Sequence, residues 1–181
     1  MRSYSVFNLQ QCEGIKAPTI ESATQVFRPI ENAEIVVEQM PNRPQLNNRS
    51  KMACYCPSTD EVWMPPRHSF DREAEYYSTL FHEIIHSTGH RNRLNRKGIA
   101  AKTVKFGSQT YSKEELVAEI GASLLCGKAG IRQGTLANSA AYLKGWMSRL
   151  RNDKKLFIIA AAQAEKAADY ILGGNSSNEK G

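Results

Sequence analysis

His82, Glu83 and His86 stand in the run Phe81-His82-Glu83-Ile84-Ile85-His86-Ser87-Thr88-Gly89-His90, and no other stretch restricts the fold as much. Side chains four residues apart lie on one face of an α-helix, so both imidazoles face one point, close enough to bind a single Zn²⁺. Glu83 projects beside them. In a His-Glu-x-x-His arrangement this carboxylate is not a ligand. It takes a proton from the water that attacks a carbonyl and passes it to the leaving amine. Apolar periodicity from Asp71 to Thr88, with Tyr77, Leu80, Phe81, Ile84 and Ile85 in one band, predicts a buried helix that Gly89 stops. The bland alternative is a pair of hydrogen-bonded core histidines, with Glu83 paired to an arginine.

Two imidazoles leave a catalytic site incomplete, because such a site takes a third protein ligand and keeps a position for water. A third histidine six residues after His86 is excluded, since Asn92 stands there. His90 follows Gly89, and a turn at the glycine swings it off the metal-facing line, as an outer partner or a surface residue. A carboxylate from a later helix is the better candidate. Ser112-Lys113-Glu114-Glu115 reads as a capping box in which Glu115 reaches back to the Ser112 N–H. One turn on, Glu119 sits in the apolar, small-residue run from Leu116 to Leu125, where a carboxylate is costly to bury unless it is paired or bound to a metal. Gly121 and Ala122 let this helix come close to the histidine helix. Glu119 is therefore the expected third ligand; Glu115 is the fallback, with a role in orienting a histidine.

The run from Ala53 to Ile131 resembles the C-terminal metallopeptidase domain of the ArdC-like antirestriction proteins carried by plasmids and other mobile elements. The matching pieces are Asp60 to Pro65, Tyr76 to Glu83, His86 to Leu94 and Tyr111 to Cys126, with Phe7 to Gln11 similar to the segment that precedes that domain. The resemblance implies a zincin fold with His82, His86 and Glu119 as ligands and Glu83 as general base. It also implies a single-stranded-DNA-binding domain ahead of this one, which nothing before residue 4 supplies. The expectation is a fragment of a longer protein, or a protein that works without that module.

A chain of 181 residues, 41% of them hydrophobic, has enough apolar content for one domain, expected over residues 4–174 with a disordered polar tail at 175–181. No run is apolar enough to cross a membrane and Met1-Arg2-Ser3-Tyr4 leads into no signal sequence, so a cytoplasmic location is expected. Cys12, Cys54, Cys56 and Cys126 form no Cys-x-x-Cys pair and read as free thiols. The net charge of +6 gathers at Arg91, Arg93, Arg96, Lys97, Lys102 and Lys105, and again from Lys144 to Lys155. A phosphate-contacting surface and a merely solvated face both account for this; sparse aromatic interleaving favours the second and limits nucleic-acid binding to weak and salt-sensitive.

The remaining elements read as a strand at Tyr4 to Leu9, a short helix from Thr19 to near Pro29, and a strand from Glu34 to Met40. A polar loop follows, from Pro41 to Ser50, and then a hairpin of Met52 to Cys56 and Glu61 to Met64. After the motif helix, a long connection from Arg91 to Tyr111 suggests a cleft wall or lid. Tyr111 is a candidate for stabilising an oxyanion, though a packed tyrosine is commoner. Helices at Leu136 to Leu150 and Asp153 to Leu172 complete an α+β fold of zincin type: a small, mostly antiparallel sheet on the active-site helix, then further helices. Two functions compete. One is a zinc-dependent peptidase or amide hydrolase acting on a peptide laid along the sheet edge. The other is a non-catalytic antirestriction module whose structural zinc supports a surface for host protein or DNA.

Overall fold

The motif helix, α2, runs from Glu73 to Ser87 and is the wall on which the rest is built. Its Tyr76, Tyr77, Leu80, Phe81, Ile84 and Ile85 are all at most 1% exposed, each contributing roughly 1.5–3 kcal/mol by leaving water. This computed structural model describes residues 28–96, 99, 109–131 and 154–174. The expected strand at Tyr4 to Leu9, the helix from Thr19, the helix from Leu136 to Leu150 and the tail after Gly174 lie outside them.

Ahead of α2 come helix α1 (Glu31–Glu38) and three short strands, β1 (Gln45–Asn47), β2 (Cys54–Cys56) and β3 (Glu61–Trp63). The strands form one sheet in the order β1-β3-β2, with β2 antiparallel to β3 as the hairpin requires and β1 parallel to it. The sheet is thus mixed. Asp60 closes the hairpin at φ 56°, in the left-handed region an aspartate tolerates. Val62 and Met64 are buried, and β2 and β3 both lie against α2.

Two expectations fail before the motif helix. The segment expected as a strand from Glu34 to Met40 is α1 and its C-terminal turn, and Ala33, Val36, Val37 and Met40 are its buried positions. That spacing of three, four and seven is helical, Glu31 and Glu34 sit in the first turn where the helix dipole favours them, and the β-branched Ile35-Val36-Val37 imitates a strand. The second is the polar loop from Pro41 to Ser50. It contains β1, whose parallel pairing Gln45↔Glu61 has no local pattern to announce it.

After α2 come α3 (Gln109–Lys128) and α4 (Lys154–Ile171). Helix α3 is sandwiched between α2 and α4, which is why Leu116, Val117, Ala122, Leu125 and Cys126 are buried around much of its circumference. It runs from Gln109, so Ser112, expected as the N-cap, lies inside the helix. Gly121 sets the α2–α3 spacing: a Cβ there would meet Cδ1 of Ile85 at 2.6 Å. Helix α4 turns a buried stripe of Ala160, Ala164, Ala167, Ala168 and Ile171 inward and ends as expected, with Gly173 at φ 69°. Cys54, Cys56 and Cys126 are free thiols, and no helix among the described residues is long and apolar enough to cross a membrane.

Candidate metal centre

Helix α2 carries His82 and His86 one turn apart, and their Nε2 atoms stand 3.2 Å from each other. From α3, the Glu115 carboxylate reaches both: Oε1 is 3.5 Å from Nε2 of His86 and Oε2 is 3.7 Å from Nε2 of His82. Donors held 2.0–2.1 Å from a tetrahedral ion lie about 3.3 Å from one another. The Nε2–Nε2 spacing is close to that value, and each imidazole meets a different oxygen of Glu115 slightly beyond it, so the three side chains converge as a site for a divalent cation requires. His82, His86 and Glu115 are also the three residues among those described whose donor atoms all lie within 4.8 Å.

The outward nitrogens are engaged as well. Nδ1 of His82 is 3.4 Å from Oε2 of Glu119, and Nδ1 of His86 is 3.4 Å from Oε1 of Glu114. Glu119, expected as the third ligand, thus lies behind His82, while the expected fallback, Glu115, joins the converging donors. Burial alone would lower the pKa of His82, but the Glu115 and Glu119 carboxylates outweigh it and hold it up at about 10. At Glu114 burial works to raise the pKa, and His86 and Arg96 overcome that and pull it below the usual carboxylate range.

Glu83 occupies a different position. Its Oε2 accepts a hydrogen bond from the Tyr55 N–H at 2.8 Å, an amide of β2, which is an edge strand among those described. The base candidate is therefore fixed to the sheet edge and stays out of the converging donors. Tyr55 is fastened in turn. Its hydroxyl donates to Oδ1 of Asp60 at 2.8 Å, and Arg93 grips both Asp60 oxygens at 2.8 Å each, while Arg93 Nη1 also donates to Ser87 O at 3.1 Å and its Nε to Asn42 O at 2.8 Å. The strand above the base is thereby tied to the end of the helix that carries it.

Composition placed Arg93 and Arg96 in a basic surface. Both are buried: the Arg93 side chain is 1% exposed, and Arg96 donates to Glu114, Thr88 and Ile85 O beneath the turn that follows α2. His90 is half-buried and accepts the Asn92 N–H at Nδ1 (3.3 Å), apart from the metal donors. Tyr111 falls in α3, with its side chain outside the described residues.

Two histidines on one helix, a carboxylate from a later helix and a glutamate beside the first histidine thus form a candidate metal centre. The profile of the MPTase-PolyVal family, described as a zincin-like metallopeptidase, matches residues 31–163, and the chain belongs to that family. The fold is shared with crystal structures of the antirestriction protein ArdC from the R388 plasmid. The Mn(II)-bound form aligns with TM-score 0.62 and 33% identity over 83% of this chain and 53% of that one; the metal-free form aligns with TM-score 0.60 and 33% identity over 98% and 62%. The resemblance to the ArdC metallopeptidase domain therefore holds. Curated relatives include a DNA primase TraC of Escherichia coli, 35% identical over 168 residues, and the uncharacterized protein y4eC of Sinorhizobium fredii, 30% identical over 179. These alignments take in 93% and 99% of this chain but 15% and 56% of the relatives, so the chain spans only part of their length.

Proposed function

We propose that this chain is a zinc-dependent peptidase or amide hydrolase domain of an ArdC-like antirestriction protein. The observation that carries the reading is the convergence of His82, His86 and Glu115 next to a glutamate held by a sheet-edge amide. His82 Nε2, His86 Nε2 and Glu115 would hold the ion. Two imidazoles and a carboxylate suit Zn²⁺, although Mn(II) is the ion of the ArdC structure. When bound, a divalent ion supplies Lewis-acid polarisation of the scissile carbonyl and acidifies water.

The protein's own share is positional. Glu83, fixed by the Tyr55 N–H, takes the proton from the attacking water and returns it to the leaving amine. Glu119 and Glu114 keep the imidazoles turned so that each Nε2 faces the ion. The substrate is a peptide or protein segment that adds as a strand along β2, with side-chain pockets setting preference. Burial of Arg93 and Arg96 removes two charges from the basic surface, which keeps nucleic-acid binding a weak, secondary property. We take the site of action to be the cytoplasm.

Glu83→Gln should keep about one zinc per chain by mass spectrometry and lose turnover of a peptide library, whereas His82→Ala loses both. Equal metal and equal activity in the three proteins would refute the hydrolase. The likeness to antirestriction proteins supports a second reading, protection by binding alone. That reading requires Glu83→Gln to protect DNA from restriction as well as wild type, and loss of protection with fold and metal intact eliminates it.

A further inference from the structure

We propose that Arg96 is a positioning residue for the metal centre, acting on His86 through Glu114. The inference rests on the metal site assigned above. For His86 to offer Nε2 to an ion, its Nδ1 must carry the proton, and Glu114 Oε1, 3.4 Å away, is the acceptor that selects this tautomer. Glu114 is only 6% exposed, and a buried carboxylate with one long contact to an imidazole would be neither stable nor fixed in direction.

Arg96 supplies both needs. Its Nε donates to Glu114 Oε2 at 3.1 Å and its Nη2 to Oε1 at 2.5 Å, so the planar fork clamps the carboxylate in one orientation. The guanidinium is itself referenced to the turn that bears His86. Nη2 donates to Ile85 O at 2.8 Å and Nη1 to Thr88 Oγ1 at 2.5 Å, and the Arg96 N–H closes onto Gly89 O at 3.0 Å. Ile85 and Thr88 flank His86 in sequence, so carboxylate and imidazole are aligned to the same piece of backbone. Gly89 makes room: a Cβ there would stand 3.2 Å from Arg96 Nη2 and 2.7 Å from Ile99 Cγ1. Lysine offers a point charge and cannot clamp two oxygens while also reaching Ile85 O and Thr88.

A merely structural arginine would cap the end of α2 and change stability alone, so the test reads metal affinity and the imidazole directly. Zn(II) is titrated against a chromophoric chelator into wild type, Arg96→Lys, Arg96→Gln, Glu114→Gln and the Arg96→Gln/Glu114→Gln double variant. Long-range ¹H–¹⁵N spectra of histidine-labelled, metal-free protein report the His86 tautomer. The expected result is a 10- to 100-fold loss of affinity in each single variant and no further loss in the double variant. The Nδ1–H form of His86 should also lose population in Glu114→Gln and Arg96→Lys. If Arg96→Gln does not fold, Arg96→Lys and Glu114→Gln carry the test. Wild-type affinity and an unchanged tautomer in these two, or multiplied losses in the double variant, overturn the role of Arg96 and leave the metal site standing. Failure of wild type itself to bind Zn(II) or Mn(II) overturns the site, and this inference with it.

Discussion

Gly121→Ala tests whether the spacing of α2 and α3 sets the metal centre. The new Cβ would stand 2.6 Å from Cδ1, 2.9 Å from Cγ1 and 3.1 Å from Cγ2 of Ile85, where carbon contacts are best at about 3.5–4.0 Å. Ile85 is fully buried and has no solvent to turn into, so the helices must part by several tenths of an ångström. Overpacking of this kind costs about 1–3 kcal/mol, and replacing a helical glycine with alanine returns about 1 kcal/mol. The net loss is roughly 0–2 kcal/mol, or a fall of up to about 8 °C in Tm for a chain of this size. Separation of the helices also draws the Glu115 carboxylate away from histidines it already meets at 3.5 and 3.7 Å. Zinc affinity should therefore drop by about tenfold or more. Ile85→Val removes Cδ1, the nearest clash; it should cost about 0.5–1.5 kcal/mol alone and distinctly less in the Gly121→Ala background. Calorimetry of the metal-free proteins and competition for Zn(II) give both quantities. Wild-type affinity in Gly121→Ala, or an Ile85→Val cost equal in the two backgrounds, would refute the coupling.

Glu115→Ala should bind zinc no better than a two-ligand site, while Glu119→Ala keeps a stoichiometric ion with affinity lowered about 10- to 100-fold; mass spectrometry and chelator competition distinguish them, and the reverse order restores Glu119 as ligand. Asp60 supplies a pH signature. Burial works to raise its pKa, but hydrogen bonds from Arg93 and Tyr55 take it below the ordinary 3.8. Because the folded value is depressed, the clamp stabilises above about pH 4 and is lost as pH falls through the folded value. Tm of wild type should thus fall more steeply than that of Asp60→Asn below pH 4, and parallel acid limbs would show that the clamp adds nothing.

The histidine helix, its buried band, the hairpin and α4 were legible in the chain because each announces itself by local period and punctuation. Helix α1 and β1 were not: three β-branched residues hide the helical spacing of Ala33, Val36, Val37 and Met40, and β1 is only three residues long, paired in parallel. The cost of burying a carboxylate singled out Glu119 in α3, whereas the carboxylate that meets the two Nε2 atoms is Glu115. Which of them meets Nε2 and which Nδ1 depends on the rotation of α3 against α2, and no sequence period encodes that rotation. The Ser-x-x-Glu pattern further drew Glu115 toward a capping role, although Ser112 lies inside α3. Arg93 and Arg96 were read as surface charge because they follow the motif in a connection. The available signal was the neighbouring Glu114, a carboxylate beside Leu116 and Val117 that needed a cation.

The charges around the two imidazoles bear on the choice between catalysis and scaffolding. Arg96 offsets Glu114, while Glu115 and Glu119 together hold a proton on His82 against the opposition of burial. A divalent cation between the two Nε2 atoms and Glu115 would take the place of that proton. A structural zinc site closes with four protein ligands. Here three donors converge among the described residues, and the next carboxylate in sequence, Glu83, is held back by an amide of β2. Asp60, Arg93 and Tyr55 secure that strand to the end of α2 through partly buried polar contacts that a scaffold ion would not require. Three donors with a base fixed beside them and a strand edge above suit hydrolysis of an extended chain, which is why we rank the hydrolase ahead of the binding module.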